Sequence, residues 1–164
     1  MSTEKHIRRL EPRDRSRIEE MLVSSGKFTA IEIDVALELV DAALEEGDES
    51  GYIVVMVEEG KANRKTYGYA CYGPIPLTQG AYDLYWIVVD PAAQGKGLGG
   101  YLLKYVERDV LKLGGRLLLI DTSSQESYSG TIHFYESKGF QLAARIKNFY
   151  RIGDDKLIFS KELI

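Results

Sequence analysis

Apolar residues recur along this chain with two different periods, one typical of helices and one typical of strands. Residues 6–10 predict a short strand. A helix is expected next, because apolar side chains then fall on one helical face at Ile18, Met21 and Leu22. A second helix is predicted to begin after Thr29, which opens a capping box. The chain therefore starts as a strand followed by two helices.

The middle of the chain has the residue types of strands. Residues 52–58 and 65–72 are rich in β-branched and aromatic side chains and are separated by a short polar turn, which predicts a hairpin. A third strand runs from Asp83 to Val89 and ends before Pro91, since proline has no N–H to donate to a ladder. Alternation along this strand puts Leu84, Trp86 and Val88 on a core face and Asp83, Tyr85, Ile87 and Val89 on the other.

The second half continues with two helices and three strands. The helices are predicted over residues 97–113 and 131–138, and the strands over residues 116–122, 140–146 and 156–162. The strand at 116–122 is nearly continuously apolar, which predicts burial on both faces and parallel pairing with the strand that begins at Asp83. Residues 148–155, NFYRIGDD, are predicted to form a loop. The sequence thus predicts one α/β domain over residues 1–164, with a mixed central β-sheet and helices on both faces.

Composition and charge exclude several classes of protein. The 45% hydrophobic and 28% charged content is that of a globular domain, and no apolar run reaches transmembrane length. A net charge of −4 argues against a nucleic-acid binder, which needs a basic footprint. The N-terminal residues lack an apolar signal core. We therefore expect a cytoplasmic protein without nucleic-acid or membrane partners, whose lone cysteine, Cys71, is a buried structural thiol.

A glycine-rich turn carries the strongest functional signal. In DLYWIVVDPAAQGKGLGG, Asp83 to Gly100, a strand passes through Asp-Pro into glycines that open a helix. Backbone N–H groups at a helix start have no intrahelical partner, and together with the helix dipole they favour an anion. Because glycines let a phosphate approach the backbone closely, this turn predicts a pyrophosphate site.

Two other interpretations of this turn are weaker. The P-loop pattern G-x-x-x-x-G-K-[ST] is absent. Gly95, Gly97 and Gly100 do spell G-x-G-x-x-G, and Asp121 ends the next strand, as in a dinucleotide-binding protein. However, five residues separate the strand from Gly95, and few parallel strands are predicted after it. A dinucleotide-binding protein is therefore a less favoured alternative.

A third pattern is more specific. Gln94, Gly97 and Gly99 form Q-x-x-G-x-G within IVVDPAAQGKGLGGYLL, and a later segment reads HFYESKGF. In this order and separation, the two segments resemble the acyl-CoA signature and the F-Y-E-x-x-G-F segment of the GNAT N-acetyltransferase superfamily. The resemblance is strong from Asp83 to Phe140 and looser over nearly the whole chain. It implies a GNAT fold and direct transfer of an acetyl group from acetyl-CoA to a primary amine, and we expect no metal.

The resemblance assigns the acetyl-CoA contacts to the third strand and the turn. In the family, two central parallel strands separate, and free strand-edge groups pair with the pantetheine arm; Ile87, Val88 and Val89 match that edge. The turn then surrounds the pyrophosphate through Gln94, Gly95, Lys96, Gly97, Leu98, Gly99 and Gly100. Tyr128 stands where the family often carries an asparagine that contacts CoA. It is predicted either to stack on the cofactor, to close the cleft, or to be an exposed loop tyrosine.

Two residues are candidates for the chemistry. Tyr135 occupies the tyrosine of the F-Y-E-x-x-G-F pattern, where the family places a phenol near the CoA sulfur as proton donor; the alternative is a packed aromatic residue. Asp83 is a candidate general base that receives the ammonium proton directly or through water, because its predicted face looks into the acceptor cleft. The alternative for Asp83 is a solvated residue at a strand start.

Five further residues are candidate contacts to the acceptor. They are Tyr85 on the face of Asp83, Thr122 at the exit of the neighbouring strand, and Asn148, Tyr150 and Asp154 in the late loop. Ordinary loop and turn roles are the alternative for the last four. Thr122 is a candidate contact either to the acceptor or to the pantetheine arm. A small-molecule amine is favoured over a peptide or protein amine, because this short acidic chain has no obvious peptide-docking segment. The alternative from another class is a non-catalytic acyl-CoA sensor or interaction module, and a homodimer stays open because family members often dimerise.

Overall fold

The computed structural model describes residues 3–164 as seven strands and four α-helices. The strands are β1 Lys5–Arg9, β2 Ile53–Glu59, β3 Lys65–Pro74, β4 Ala81–Val89, β5 Leu117–Ser123, β6 Gln141–Arg151 and β7 Asp154–Glu162. The helices are α1 Asp14–Ser25, α2 Ala30–Glu46, α3 Leu98–Lys112 and α4 Ser129–Ser137. Each predicted helix and strand is present, with ends shifted by up to five residues.

Local sequence signals account for several element ends. The Thr29 hydroxyl accepts a hydrogen bond from the Glu32 N–H at 3.2 Å, so the predicted cap of α2 is confirmed. Gly26 ends α1 in the left-handed conformation, with φ of 66°. β4 ends at Val89, directly before Asp90 and Pro91, as the proline predicts.

The predicted loop over residues 148–155 is wrong. β6 continues to Arg151 and β7 begins at Asp154, so the connection is a two-residue turn. The two strands extend because the Asp155 carboxylate accepts hydrogen bonds from Arg145 Nε at 2.5 Å and from the Asn148 N–H at 2.8 Å. The extra residues form a bulge between Ile146 and Arg151, where Asn148 has a φ of 55°.

The strands form a mixed sheet in the order β1-β2-β3-β4-β5-β7-β6. The pairs β1–β2, β2–β3, β5–β7 and β6–β7 are antiparallel. The predicted parallel pairing of β4 with β5 is confirmed: Ala81, Tyr82 and Asp83 lie opposite Leu117, Leu118 and Leu119. The α/β prediction with a mixed central sheet is therefore confirmed.

The chain divides into two compact units. The first comprises Met1–Gly73 and Trp86–Arg108, and the second comprises Pro74–Tyr85 and Asp109–Ile164. β4 contributes its beginning to the second unit and its end to the first. The prediction of one domain over residues 1–164 stays a prediction.

In the first unit, helices cover both faces of the strands. α1 and α2 pack on one face, where Ile18, Met21, Val40, Met56 and Cys71 are fully buried in one cluster. On the other face Leu102 of α3 lies over Gly68, where an added Cβ would stand 3.3 Å from Leu102 Cδ1. The prediction of a buried Cys71 thiol is confirmed, and burial raises its pKa to about 12.

In the second unit, one face of β5 and β7 is the core. Leu118, Ile120 and Phe159 are buried there, and Ile120 lies opposite Phe159 in the antiparallel register. Tyr135 and Phe140 are also buried, and their rings meet edge to face at 5.7 Å. The opposite face carries polar residues, among them Asp121 and Lys156. Within residues 3–164 no helix has the length and apolar content to cross a lipid bilayer.

Candidate active site

The glycine turn of the first unit has an open, left-handed backbone. A short 3₁₀ turn, Pro91–Ala93, follows β4 and leads to Gly95 and Gly97, which have φ values of 80° and 77°. Nothing lies within 4 Å of a Cβ added at Gly95 or Gly97, so their backbone conformation rather than crowding requires glycine. α3 begins at Leu98, so the first N–H groups of this helix face the end of the turn without intrahelical partners. This arrangement fits a pyrophosphate.

Charged side chains stand beside the turn. Lys96 is exposed, and its Nζ lies 6.0 Å from the Tyr67 ring centre. Lys5 of β1 donates a hydrogen bond to the Lys96 carbonyl at 3.2 Å. Gln94 is also exposed. The turn therefore presents cations and backbone donors to solvent, which favours an anionic ligand.

Asp90 ties the turn to the end of β4. Its Oδ1 accepts a hydrogen bond from the Ala92 N–H at 2.9 Å, and its carbonyl accepts one from the Ala93 N–H at 2.8 Å. Arg17 of α1 pairs with the same carboxylate. Neither the capping role of Asp90 nor the pairing of Arg17 with it was predicted from the sequence. The Asp-Pro start of a turn was a usable capping signal, whereas nothing local marks Arg17 as its partner.

The predicted strand-edge residues lie at the end of β4. Among the described residues, the ladder between β4 and β5 ends at Asp83, so Ile87, Val88 and Val89 lie beyond its last pair. Val88 is buried, and Ile87 and Val89 are half-buried. Their predicted role needs only backbone groups, and it stays a prediction.

Asp83 belongs to a charged group on the polar face of the second unit. The register pairs Asp83 with Leu119, Asp121 with Ile158, and Ser123 with Lys156, so Asp83, Asp121 and Lys156 point to the same side. The Lys156 ammonium lies 3.0 Å from Asp121 Oδ2 and 4.6 Å from the centre of the Phe149 ring. This group combines two carboxylates, one ammonium and an aromatic face.

The environment of Asp83 suits a general base. Its half-buried position raises the pKa of the carboxyl, and the charge of Asp121 raises it further, whereas Lys156 opposes the rise. A carboxylate with a raised pKa accepts a proton closer to neutral pH than an exposed aspartate does. Asp121, Phe149 and Lys156 were not predicted as site residues, because the group forms only once β5 and β7 are in register.

Tyr135 lies on α4, as predicted, and is 4% exposed. Its ring contacts Phe140 at 5.7 Å and Phe134 at 5.4 Å. Burial raises the pKa of the Tyr135 phenol above its usual value, so the side chain keeps its proton at neutral pH. A packed aromatic ring and a proton donor are both compatible with this environment.

Thr122 fits a ligand contact. It is buried, and its hydroxyl has no hydrogen-bond partner within residues 3–164. Buried hydroxyls are ordinarily paired, so the unpaired Thr122 hydroxyl indicates a place for an external polar group.

The remaining acceptor candidates of the second unit differ in how accessible their side chains are to a ligand. Asn148 braces the turn, since its Oδ1 accepts a hydrogen bond from the Gly153 N–H at 2.9 Å. Asp154 is buried and accepts a hydrogen bond from Ser123 Oγ at 2.5 Å. Tyr150 is 47% exposed and meets Phe149 edge to face. Tyr150 is therefore better placed for a ligand than the other two.

Two tyrosines complete the set of candidates. Tyr85 is 38% exposed and follows Asp83 on the same face of β4. Tyr128 is half-buried at the start of α4. The catalytic and acceptor candidates thus belong to the second unit, and the acetyl-CoA candidates belong to the first, with Tyr128 and Thr122 as the exceptions.

Known proteins resemble this chain in sequence and in fold. The profile of the acetyltransferase (GNAT) domain matches residues 44–142. A structure from Desulfovibrio desulfuricans, assigned to the GNAT family of acetyltransferases, is 45% identical, with a TM-score of 0.92 over 98% of this chain and 100% of that one. A structure from Salmonella typhimurium, assigned as an acetyltransferase and holding its cofactor acetyl-CoA, is 22% identical, with a TM-score of 0.73 over 98% of this chain and 95% of that one.

A curated relative is more distant. It is the S-(2-succino)cysteine N-acetyltransferase of Bacillus subtilis, 27% identical over 86 residues, and the match spans 52% of each chain, about half the length of that relative. The expected enzyme class and its co-substrate, acetyl-CoA, agree with these matches, which leave the acceptor open. Because the domain profile covers well over half of the residues, the chain belongs to the GNAT family of acetyltransferases.

Proposed function

We propose that this protein transfers the acetyl group of acetyl-CoA directly to the primary amine of a small molecule. The observation that carries the proposal is Asp83, a half-buried carboxylate with a raised pKa on the same face as Asp121 and Lys156. A primary amine is protonated at neutral pH, and a base of this kind removes the proton that blocks its nucleophilic lone pair.

Acetyl-CoA would be held mainly by backbone groups. The N–H groups from Gly95 to Gly100 would surround the pyrophosphate, and Lys96 would add a positive charge. The free edge of β4 at residues 87–89 would pair with the pantetheine arm, and the Thr122 hydroxyl would gain the hydrogen bond that it lacks within the protein. When bound, acetyl-CoA supplies the thioester carbonyl that the amine attacks.

The two proton transfers fall to two side chains of the second unit. Asp83 takes a proton from the acceptor ammonium, so that the amine nitrogen can form a bond to the carbonyl carbon. The carbon–sulfur bond then breaks, and Tyr135, kept protonated by burial, donates a proton to the departing thiolate. The nitrogen releases its remaining surplus proton to solvent, and solvent returns a proton to the Tyr135 phenolate. The products are the N-acetyl amine and CoA.

Cys71 supports a direct transfer rather than a covalent intermediate. Its thiol is fully buried, and burial raises its pKa to about 12, so it is neither accessible nor ionised at neutral pH. A nucleophilic cysteine needs a thiolate that the substrate can reach.

The acceptor is proposed to be a small cationic molecule. Asp83 and Asp121 outweigh the single positive charge of Lys156, so this face favours a cation. Phe149 and Tyr150 are about half exposed and offer an aromatic wall. The name of the Bacillus subtilis relative gives S-(2-succino)cysteine as its acceptor, a small amine, which supports the small size of the acceptor proposed here but not its positive charge, because that compound carries three carboxylates.

A second copy of the chain is a proposed partner. β6 is the last strand in the sheet order, and all eleven of its residues are exposed, including Leu142 and Ile146. A long exposed edge strand is a template for pairing with another chain. Light scattering tests a homodimer, and Ile146→Glu is expected to convert it to a monomer; a wild-type monomer would exclude it.

We also propose a cytoplasmic location. The only cysteine is a buried thiol, which fits a protein that needs no oxidising compartment to fold. Cell fractionation tests this, and recovery outside the cytoplasmic fraction would contradict it.

The experiment for the acceptor is a CoA-release assay on a panel of amines. The panel contains amino acids, polyamines, aminoglycosides and peptides with a free N-terminal amine, all assayed at one acetyl-CoA concentration. The proposal predicts release with at least one small amine and a higher kcat/KM for it than for any peptide. Acetyl-CoA binding without release across the panel would favour the sensor alternative, and preference for a peptide would overturn the acceptor class.

A further inference from the structure

Arg17 connects three elements at the entrance to the glycine turn. From α1, its guanidinium donates hydrogen bonds to the Thr66 carbonyl of β3, at 3.1 Å from Nε and 2.9 Å from Nη2. The same guanidinium pairs with the Asp90 carboxylate, directly after β4. The side chains of Arg17 and Asp90 are 26% and 12% exposed, so the pair is largely shielded from water. Such pairs contribute more than pairs on the open surface.

Asp90 links Arg17 to the turn through its own hydrogen bonds. Its N–H donates to the Tyr67 carbonyl at 2.8 Å, which fixes it to β3, while its Oδ1 and its carbonyl hold the Ala92 and Ala93 N–H groups. Burial acts to raise the pKa of Asp90, but the Ala92 N–H and the Arg17 guanidinium outweigh it and leave the pKa below its usual value. Asp90 is therefore ionised near neutral pH and can keep both partners.

We propose that Arg17 is a positioning residue for acetyl-CoA: through Asp90, it holds the glycine turn in the conformation that receives the pyrophosphate. This inference rests on the proposed placement of the pyrophosphate at residues 95–100. Glycines such as Gly95 and Gly97 have more backbone freedom than other residues, and restricting that freedom on binding would reduce affinity. A turn that is already fixed at Asp90 loses less conformational entropy when the ligand binds.

Arg17 acts through Asp90 rather than by touching the ligand. Its Nε and Nη2 are engaged by Thr66 and Asp90, and its Nη1 lies 3.3 Å from the Glu20 carboxylate. The guanidinium edges are thus directed at protein groups. A loss of affinity on substitution would therefore report on the turn, and it should depend on Asp90.

α1 provides a matched control. Arg15 lies on the same helix and pairs with Asp41 of α2 at 2.5 Å, away from the glycine turn. Arg15→Met and Arg17→Met remove the same group and two ion pairs each, with Glu19 and Asp41 in one case and with Glu20 and Asp90 in the other. A general effect of destabilising α1 would appear in both variants.

The experiment is calorimetric titration of the whole protein with CoA. We expect Arg17→Met to raise the Kd for CoA by roughly three- to tenfold, less than the full contribution of a charge-assisted hydrogen bond because Arg17 acts indirectly, and Arg15→Met to leave it unchanged. The kcat at saturating acetyl-CoA should stay within about twofold of the wild type in both, because the chemistry does not involve Arg17. An unchanged Kd in Arg17→Met, or an equal rise in Arg15→Met, would overturn the inference.

A double-variant cycle tests the route through Asp90. Asp90→Asn should weaken CoA binding to a similar extent, and Arg17→Met combined with Asp90→Asn should be no weaker than the weaker single variant. Effects that multiply would show that Arg17 acts independently of Asp90 and would contradict the proposal. Arg17→Lys, which keeps a cation for Asp90, should bind CoA more tightly than Arg17→Met; equal affinities would count against the proposal.

Gly97→Ala separates the two claims. If it weakens CoA binding while Arg17→Met does not, the pyrophosphate site stands and the inference about Arg17 is wrong. If neither variant weakens binding, the proposed pyrophosphate placement fails, and the inference fails with it.

Discussion

The Lys156 ammonium lies 3.0 Å from the Asp121 carboxylate, on the face of the sheet that also carries Asp83. This pair matters because its two members act on Asp83 in opposite directions. Asp121 helps to raise the pKa of Asp83, and Lys156 helps to lower it. The pKa of the proposed base, Asp83, is thus set in part by residues that need not touch the substrate.

The first prediction concerns the pH dependence of catalysis. Asp83 works as a base only when ionised, so kcat/KM should fall on the acid side as Asp83 takes up a proton. Lys156→Met removes a cation that lowers the pKa of Asp83, and it should move this acid limb to higher pH. Asp121→Asn removes an anion that raises the pKa, and it should move the limb to lower pH.

The measurement is the pH profile of kcat/KM for the three proteins with one acceptor. Titration of the acceptor contributes equally to each profile, so the differences belong to the enzyme. Identical acid limbs in all three would remove Asp83 from the role of base.

The second prediction concerns Tyr135. Tyr135→Phe removes only the phenol oxygen and keeps the ring that packs on Phe140. Turnover should fall by about a hundredfold, in the range for loss of a general acid, while the Kd for acetyl-CoA changes little. Tyr82→Phe, at another buried tyrosine, is the control and should retain turnover. Steady-state kinetics measure turnover, and calorimetry measures the Kd for acetyl-CoA. Full turnover in Tyr135→Phe would show that Tyr135 has only a packing role.

The third prediction concerns the glycine turn. Alanine at a left-handed position costs about 1–2 kcal/mol, so Gly97→Ala and Gly26→Ala should both lower the free energy of unfolding modestly. Both glycines have a φ near 70° and open space around an added Cβ. Only Gly97→Ala should weaken CoA binding. Equal CoA affinity in the two variants would contradict the placement of the pyrophosphate at this turn.

The sequence predicts the helices and strands of this fold better than the contacts between residues that are distant in the chain. Apolar periodicity and the Thr29 cap are local signals, and they correctly predict α1, α2 and the strands. The same local reasoning predicts a loop at residues 148–155, because Gly153 and two aspartates are typical of turns. What extends β6 and β7 is the burial of Asp155 against Arg145 and Asn148, which a local pattern cannot reveal.

The candidate site shows the same division. The glycines, Tyr135 and Asp83 could be chosen from motifs and alternation, since their signals lie within one segment each. The pairs Arg17–Asp90 and Asp121–Lys156 join residues that are 73 and 35 positions apart in the chain. Their distances depend on strand register and helix packing, so no spacing in the sequence predicts them.

The fourth prediction concerns stability at low pH. The Asn148 N–H and the Arg145 guanidinium hold the pKa of Asp155 below its usual value. A lowered folded-state pKa stabilises the protein above the unfolded value, near 3.9 for an aspartate, and this contribution is lost as the pH falls through the folded-state pKa. Asp155→Asn should therefore lower the Tm at pH 7, and its difference from the wild type should shrink below about pH 4.

Thermal unfolding of both proteins between pH 3 and pH 7 checks this prediction. Asp48→Asn, which removes an exposed pair with Arg9, is the control and should change the Tm little. A Tm difference for Asp155→Asn that is independent of pH would show that its charge does not contribute.

The most direct test of the proposed direct transfer follows the acetyl group itself. The protein is incubated with isotopically labelled acetyl-CoA and the best acceptor from the amine panel, and intact protein and small molecules are analysed by mass spectrometry. Direct transfer predicts label on the acceptor nitrogen in the amount of CoA released, with none on the protein. Labelled protein that passes its acetyl group to the acceptor, or bound acetyl-CoA that is never consumed, would contradict it.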